Sequence, residues 1–126
     1  MKLVYIAGPY RASGQWHIFQ NIRRAEALAL QVWQMGAACI CPHKNTEHFN
    51  GAAPDRVWLD GDLEMVRRCD AILCAPGWES SSGSLGEVAL AKQLGLPIFQ
   101  STEELRNWLA EALPSEAVSG QHSQVL

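Results

Sequence analysis

Residues 2–9 read KLVYIAGP, a short apolar run stopped by Gly8-Pro9. The run has the length of a strand, and its residues are apolar throughout rather than alternating. That is the pattern of a parallel strand covered by helices on both faces. Working outward, the next apolar pattern is helical, from about Ile18 to Met35. Ile18, Ile22, Ala25, Ala29 and Val32 share one face there, and Gly36 is the stop. Residues 37–41, AACIC, read as a second strand closed by Pro42. The longest irregular stretch is 42–54, PHKNTEHFNGAAP. A loop of that length in a compact domain is more often functional than idle. Pro54-Asp55 opens a helix to about Arg68, and 70–75, DAILCA, is a third strand ended by Pro76-Gly77. WESSSGS (78–84) reads as a loop, LGEVALAKQLG (85–95) as a helix, and Leu96 to Gln100 as a fourth strand. Thr102 caps a last helix with Glu104 in its first turn. The sequence predicts one domain over 1–113 and a mobile tail over 114–126.

Strand alternating with helix over the whole domain implies a parallel sheet with right-handed crossovers. Ligands of such sheets bind beyond the carboxyl ends of the strands. That rule selects the loops Gly8–Gln15, Pro42–Pro54 and Pro76–Gly83 before any motif is weighed.

The chain has 126 residues, 48% of them hydrophobic and 18% charged, with a net charge of -3. Such a composition excludes a disordered chain, and the charge removes the case for a basic nucleic-acid surface. A small anionic ligand is not excluded, since one site needs only a few donors. The N-terminal apolar run is too short for a signal segment, and nothing later approaches a membrane span, so a cytoplasmic protein is expected. Cys39, Cys41, Cys69 and Cys74 form no CxxC and no zinc spacing. They read as reduced thiols of the core.

Two carboxylates stand out. On a helix at 100° per residue, Asp62 falls inside the arc of Leu59, Leu63 and Val66. A carboxylate there costs free energy unless paired or protonated, and desolvation would raise its pKa, which suits a general acid. The alternative is a position at the edge of the stripe, bonded to nearby backbone. Glu87 shares an arc with Leu90, Ala91 and Leu94, in the first turn of its expected helix. There the helix dipole favours an ionised nucleophile or base. The alternative is Ser84-x-x-Glu87 as a capping box, with Glu87 only satisfying a backbone N–H. The run Ser80 to Ser84, with Gly83 inside it, can hold a phosphate at a helix start or merely cap the helix. Arg11 could add a cation from the neighbouring loop. Two carboxylates flanking a pocket, beside a phosphate cradle, suit cleavage of a nucleotide's N-glycosidic bond. One carboxylate meets the oxocarbenium-like C1′ and an acid protonates the departing base, as in glycoside cleavage.

The blocks YIAGPYRA (5–12), NIRRAEALA (21–29), WLDGDLEMVRRCDAIL (58–73) and PGWESSSGSLGEVALAKQLGLPIF (76–99) together resemble the nucleoside 2-deoxyribosyltransferase-like superfamily. They are similar in particular to small phage and prophage members, and the likeness spans about residues 3–100. The superfamily also holds deoxynucleoside monophosphate N-glycosidases. The resemblance implies a three-layer, flavodoxin- or Rossmann-like α/β fold. Its parallel sheet would have four to five strands, ordered 2-1-3-4, with helices on both faces. It implies Glu87 as nucleophile or base, Asp62 as the assisting acid or sugar contact, and Tyr5 as the group that orients Glu87. Gly8, Arg11 and Ser81 match positions that bind phosphate in the monophosphate hydrolases, and Ser82 and Gly83 of the same helix start, with Pro9 of the turn, are expected to line the substrate or phosphate site. Pro9 departs from the serine that the monophosphate hydrolases use, and so lacks a hydroxyl and an N–H. Trp16 and His43 lie on candidate pocket loops as possible base or sugar contacts. Neither a metal nor an organic cofactor is implied. The expected partner is a small nucleoside or nucleotide, not a nucleic-acid polymer or a membrane, and a homodimer or larger homo-oligomer is implied. Two rival readings are a nucleotide-binding sensor without turnover and a phosphoribohydrolase of the cytokinin-activating type. The latter's diglycine is missing here.

Overall fold

A computed structural model describes residues 1–112. The tail expected over 114–126 lies outside them. Its elements run β1 (Leu3–Ala7), α1 (Gln15–Gln34), β2 (Ala38–Ile40), α2 (Pro42–Asn45), α3 (Asp55–Arg67), β3 (Ala71–Cys74), α4 (Ser82–Leu94), β4 (Ile98–Phe99) and α5 (Thr102–Ala112). A 3₁₀ turn, Trp78–Ser80, precedes α4. The four strands are parallel and ordered β2-β1-β3-β4, the α/β sheet that the alternation predicts.

β1 lies inside the sheet, with Tyr5 in register between Ile40 of β2 and Ile72 of β3. Successive strand residues face opposite sides. Val4 and Ile6 therefore join Ala71 and Leu73 against Ala25, Ala29 and Val32 of α1 and Leu105 of α5. Tyr5 and Ala7 join Ile72 and Cys74 on the other side, against Val66 of α3 and Val88 and Ala91 of α4. This parity decides that the one hydroxyl of β1 points into the α3–α4 layer.

Some boundaries differ from the sequence reading. α1 begins at Gln15, not Ile18, because its first turn is exposed and carries no apolar periodicity. The 42–54 stretch contains the short helix α2, opened by Pro42 at a position where a missing N–H costs nothing. The cap of α5 is Ser101 rather than Thr102: its Oγ accepts the Glu104 N–H at 3.2 Å. Cys41, Cys69 and Cys74 are buried free thiols and Cys39 is half-buried. Burial pushes Cys69 and Cys74 up to about 11, so they stay protonated and unreactive at neutral pH. Among the described residues, no helix is long and apolar enough to cross a membrane.

Candidate active site

A pocket of about 270 Å³ opens at the carboxyl ends of the strands. The three loops selected by the sheet rule all contribute. Gly8 to Arg11 come from the turn after β1, Pro42, His43, Thr46 and Asn50 from the stretch after β2, and Ser80 to Ser84 from the start of α4. α3 supplies Asp55, Trp58, Leu59 and Asp62, and α4 supplies Glu87.

The placement of Glu87 follows from the helix start. Ser81 is the N-cap of α4, its Oγ accepting the Ser84 N–H at 3.2 Å. Glu87 therefore sits in the second turn. Two expectations are corrected by this. Ser84-x-x-Glu87 is not a capping box, and the first-turn dipole does not reach Glu87 at full strength, since it falls off within a turn. Instead the buried carboxylate accepts a 2.5 Å hydrogen bond at Oε2 from the Tyr5 hydroxyl. Burial pushes Glu87 up to about 8; the Tyr5 bond opposes the rise, and the charge of Asp62 adds to it. Tyr5 itself is raised far above an ordinary phenol, first by burial and then by Glu87 and Asp62, so it remains a donor. Asp62, half-buried, is pushed up to about 6 by desolvation.

The turn after β1 is built to be tight. A Cβ on Gly8 would lie 2.7 Å from the Ala75 Cβ, closer than real carbons pack. Gly8→Ala is expected to cost about 1–3 kcal/mol by forcing β1 and the segment after β3 apart. Urea unfolding checks it; an unchanged midpoint would mean that the turn yields freely. His43 fastens the same turn from α2. Its Nε2 lies 3.1 Å from the Gly8 carbonyl oxygen and 2.9 Å from that of Pro9. Both partners are acceptors, so Nε2 carries the proton. Burial lowers the pKa of His43, which leaves the ring neutral.

Three polar atoms around the pocket are buried without a hydrogen-bond partner among the described residues: His43 Nδ1, Trp58 Nε1 and Ser84 Oγ. Arg11 stands at the rim, more than half exposed, with its guanidinium 2.8 Å from Asp55 Oδ2. Ser82 and Gly83 form the first turn of α4. Trp16 does not line the pocket. It is exposed in the first turn of α1 and packs on Phe19. Among the described residues, no three His, Cys, Asp or Glu side chains gather as a metal site requires.

The sequence reading overlooks Asp55 and Trp58. Both lie on the face of α3 that carries Asp62, seven and four residues earlier, the spacing of one helical stripe. Extending the Asp62 stripe back to the helix start would have found them.

Residues 2–100 match a protein family described as "Domain of unknown function (DUF4406)", and the chain belongs to that family. No curated protein matches it by sequence. Among solved structures it is similar to the 2-deoxyribosyltransferase of the psychrotolerant bacterium Bacillus psychrosaccharolyticus. The two are 15% identical with a TM-score of 0.58, over 76% of this chain and 69% of that one. At that identity the likeness is one of fold.

Proposed function

We propose that this member of the DUF4406 family cleaves the N-glycosidic bond of a nucleoside or nucleoside 5′-monophosphate, by hydrolysis or by deoxyribosyl transfer. The observation that carries the reading is the pair of desolvated carboxylates, Glu87 and Asp62, lining one pocket with Glu87 held by Tyr5. The structural neighbour, itself a 2-deoxyribosyltransferase, supports the same class of bond. The unpartnered atoms of His43, Trp58 and Ser84 support a polar ligand, since each costs about 1–3 kcal/mol while unpaired.

In this reading Tyr5 holds Oε2 and leaves Oε1 of Glu87 for the sugar. Glu87 attacks C1′ or takes a proton from water that adds there. The C1′–N bond breaks with its electron pair going to the base, and Asp62 gives its proton to that nitrogen. Water or a second base then completes hydrolysis or transfer. A homodimer or larger homo-oligomer belongs to the same proposal. Sedimentation of a monomer alone would contradict that part.

The reactive state needs Glu87 ionised and Asp62 protonated. With Glu87 near 8 and Asp62 near 6, the pair holds a single proton between those values, mostly on Glu87, so the reactive arrangement is the minor one of the two. The dependence of kcat/KM on pH is therefore expected to be a bell with limbs near about 6 and about 8. A rate that climbs through 8 and stays high would instead make Asp62 an ionised sugar contact. Tyr5→Phe removes the bond that favours ionised Glu87, so the upper limb moves to higher pH. An unmoved limb would detach Tyr5 from Glu87.

The activity itself is tested by incubating the protein with ribo- and deoxyribonucleosides and their monophosphates, and separating free base by chromatography. Base release supports the reading, and a second added base separates transfer from hydrolysis. Tight binding of the panel without release would replace it with a nucleotide sensor. Release confined to ribonucleoside monophosphates would favour the phosphoribohydrolase.

A further inference from the structure

We propose that Asp55 is a specificity-determining residue: by occupying Arg11 it closes the pocket to a 5′-phosphate and selects the unphosphorylated nucleoside. This inference rests on the nucleoside reading of the pocket and narrows it.

The charge of the wall carries the argument. Among the described residues that line the pocket, Arg11 is the one Lys or Arg, against Asp55, Asp62 and Glu87. That one cation lies 2.8 Å from Asp55 Oδ2. The ring of His43 is held neutral, with its Nε2–H given to the Gly8 and Pro9 carbonyl oxygens. Pro9, in the turn that faces the same space, offers no N–H. A phosphate drawn to Arg11 would come to stand beside the Asp55 carboxylate, 2.8 Å from that guanidinium, and would there face a second negative group. Like charges so placed oppose binding. A 5′-hydroxyl carries no charge, and it can donate to the same Asp55 carboxylate without breaking the ion pair, because a carboxylate accepts several hydrogen bonds. Asp55 and Arg11 are both more than half exposed at the rim, so exchanging Asp55 for an isosteric amide leaves the core untouched.

The test uses inorganic phosphate, followed through the Arg11 side-chain N–H resonance. Wild type, Asp55→Asn and the double variant Arg11→Ala/Asp55→Asn are titrated to millimolar phosphate, with the amide spectrum confirming the pocket in each variant. The expected result is a shift of the Arg11 resonance in Asp55→Asn only, with no pocket amide shifts in wild type or the double variant. Alongside it, the ratio of kcat/KM for a nucleoside to that for its monophosphate is expected to fall at least about tenfold in Asp55→Asn. Equal phosphate shifts in wild type and Asp55→Asn, shifts in neither, or an unchanged ratio would overturn the role of Asp55. The phosphate titration does not depend on turnover. If no nucleoside releases base, the proposed reaction fails while the titration still decides whether Asp55 denies Arg11 to phosphate.

Discussion

Glu87→Gln is expected to lower base release by at least about a thousandfold while leaving the protein folded. The amide keeps the shape of the side chain, and its oxygen can still accept the Tyr5 O–H. It loses the negative charge and the lone-pair basicity that either attack on C1′ or activation of water requires. Burying an amide in place of a carboxylate also removes a group whose ionisation burial opposes. Urea unfolding at pH 9, where wild-type Glu87 is largely ionised, is therefore not expected to show a loss of stability. Since the N-cap of α4 is the Ser81 side chain, the exchange does not touch the helix start. Rates within tenfold of wild type would remove Glu87 from the chemistry. A large loss of stability would mean that its role is to hold α4 against β1.

Asp62→Asn is expected to cost about a hundredfold to ten-thousandfold in kcat, the range for losing a positioned general acid. The loss should be greatest for nucleosides whose base leaves poorly, because those need the proton most. A second signature separates this from simple damage. The charge of Asp62 raises the pKa of Glu87, so removing that charge moves the Glu87 limb to lower pH. With the acid gone only the ionisation of Glu87 matters, so the fall above about 8 disappears and the Glu87 limb becomes a single rise at a pH below about 8. A rate loss that is uniform across leaving groups, with the Glu87 limb unmoved, would place Asp62 at the sugar or outside the reaction.

Both carboxylates were legible in the sequence as a matter of helical phase, and their settings were not. Asp62 sits where its apolar arc puts it, with buried Val66 one turn on and Leu59 at the pocket wall. For Glu87, the arc shared with Ala91 is right, but several serines in 80–84 suit an N-cap. Choosing Ser81 over Ser84 leaves the helix face unchanged and adds most of a turn before Glu87. That turn converts a capping residue with a helpful dipole into a buried carboxylate raised by desolvation. The acid–base order is thereby reversed from the dipole argument: Glu87, not Asp62, has the higher pKa.

The parallel sheet was legible because strands apolar on both faces alternate with helices, while its order 2-1-3-4 was implied by the family resemblance and not by the pattern. The roles of individual loop residues were not legible, because a loop side chain has no period to read. His43 was a candidate substrate contact and does line the pocket, but its Nε2 is given to the carbonyl oxygens of the turn after β1, so Nδ1 is the atom left without a partner among the described residues. Trp16 was another, yet α1 starts early enough to carry it onto the surface. Arg11 was a free cation in the sequence, and its pairing with Asp55 joins the turn after β1 to the start of α3, 44 residues apart in the chain, beyond any local pattern.

The central claim is that C1′ of a nucleoside sits against Glu87 in this pocket. The most direct test is a crystal structure of the Glu87→Gln protein with an unhydrolysed nucleoside bound. The account predicts C1′ about 3–3.5 Å from a side-chain terminal atom of residue 87, with the base nitrogen toward Asp62. A nucleoside bound outside the pocket, or bound inside with C1′ turned away from residue 87, would contradict it.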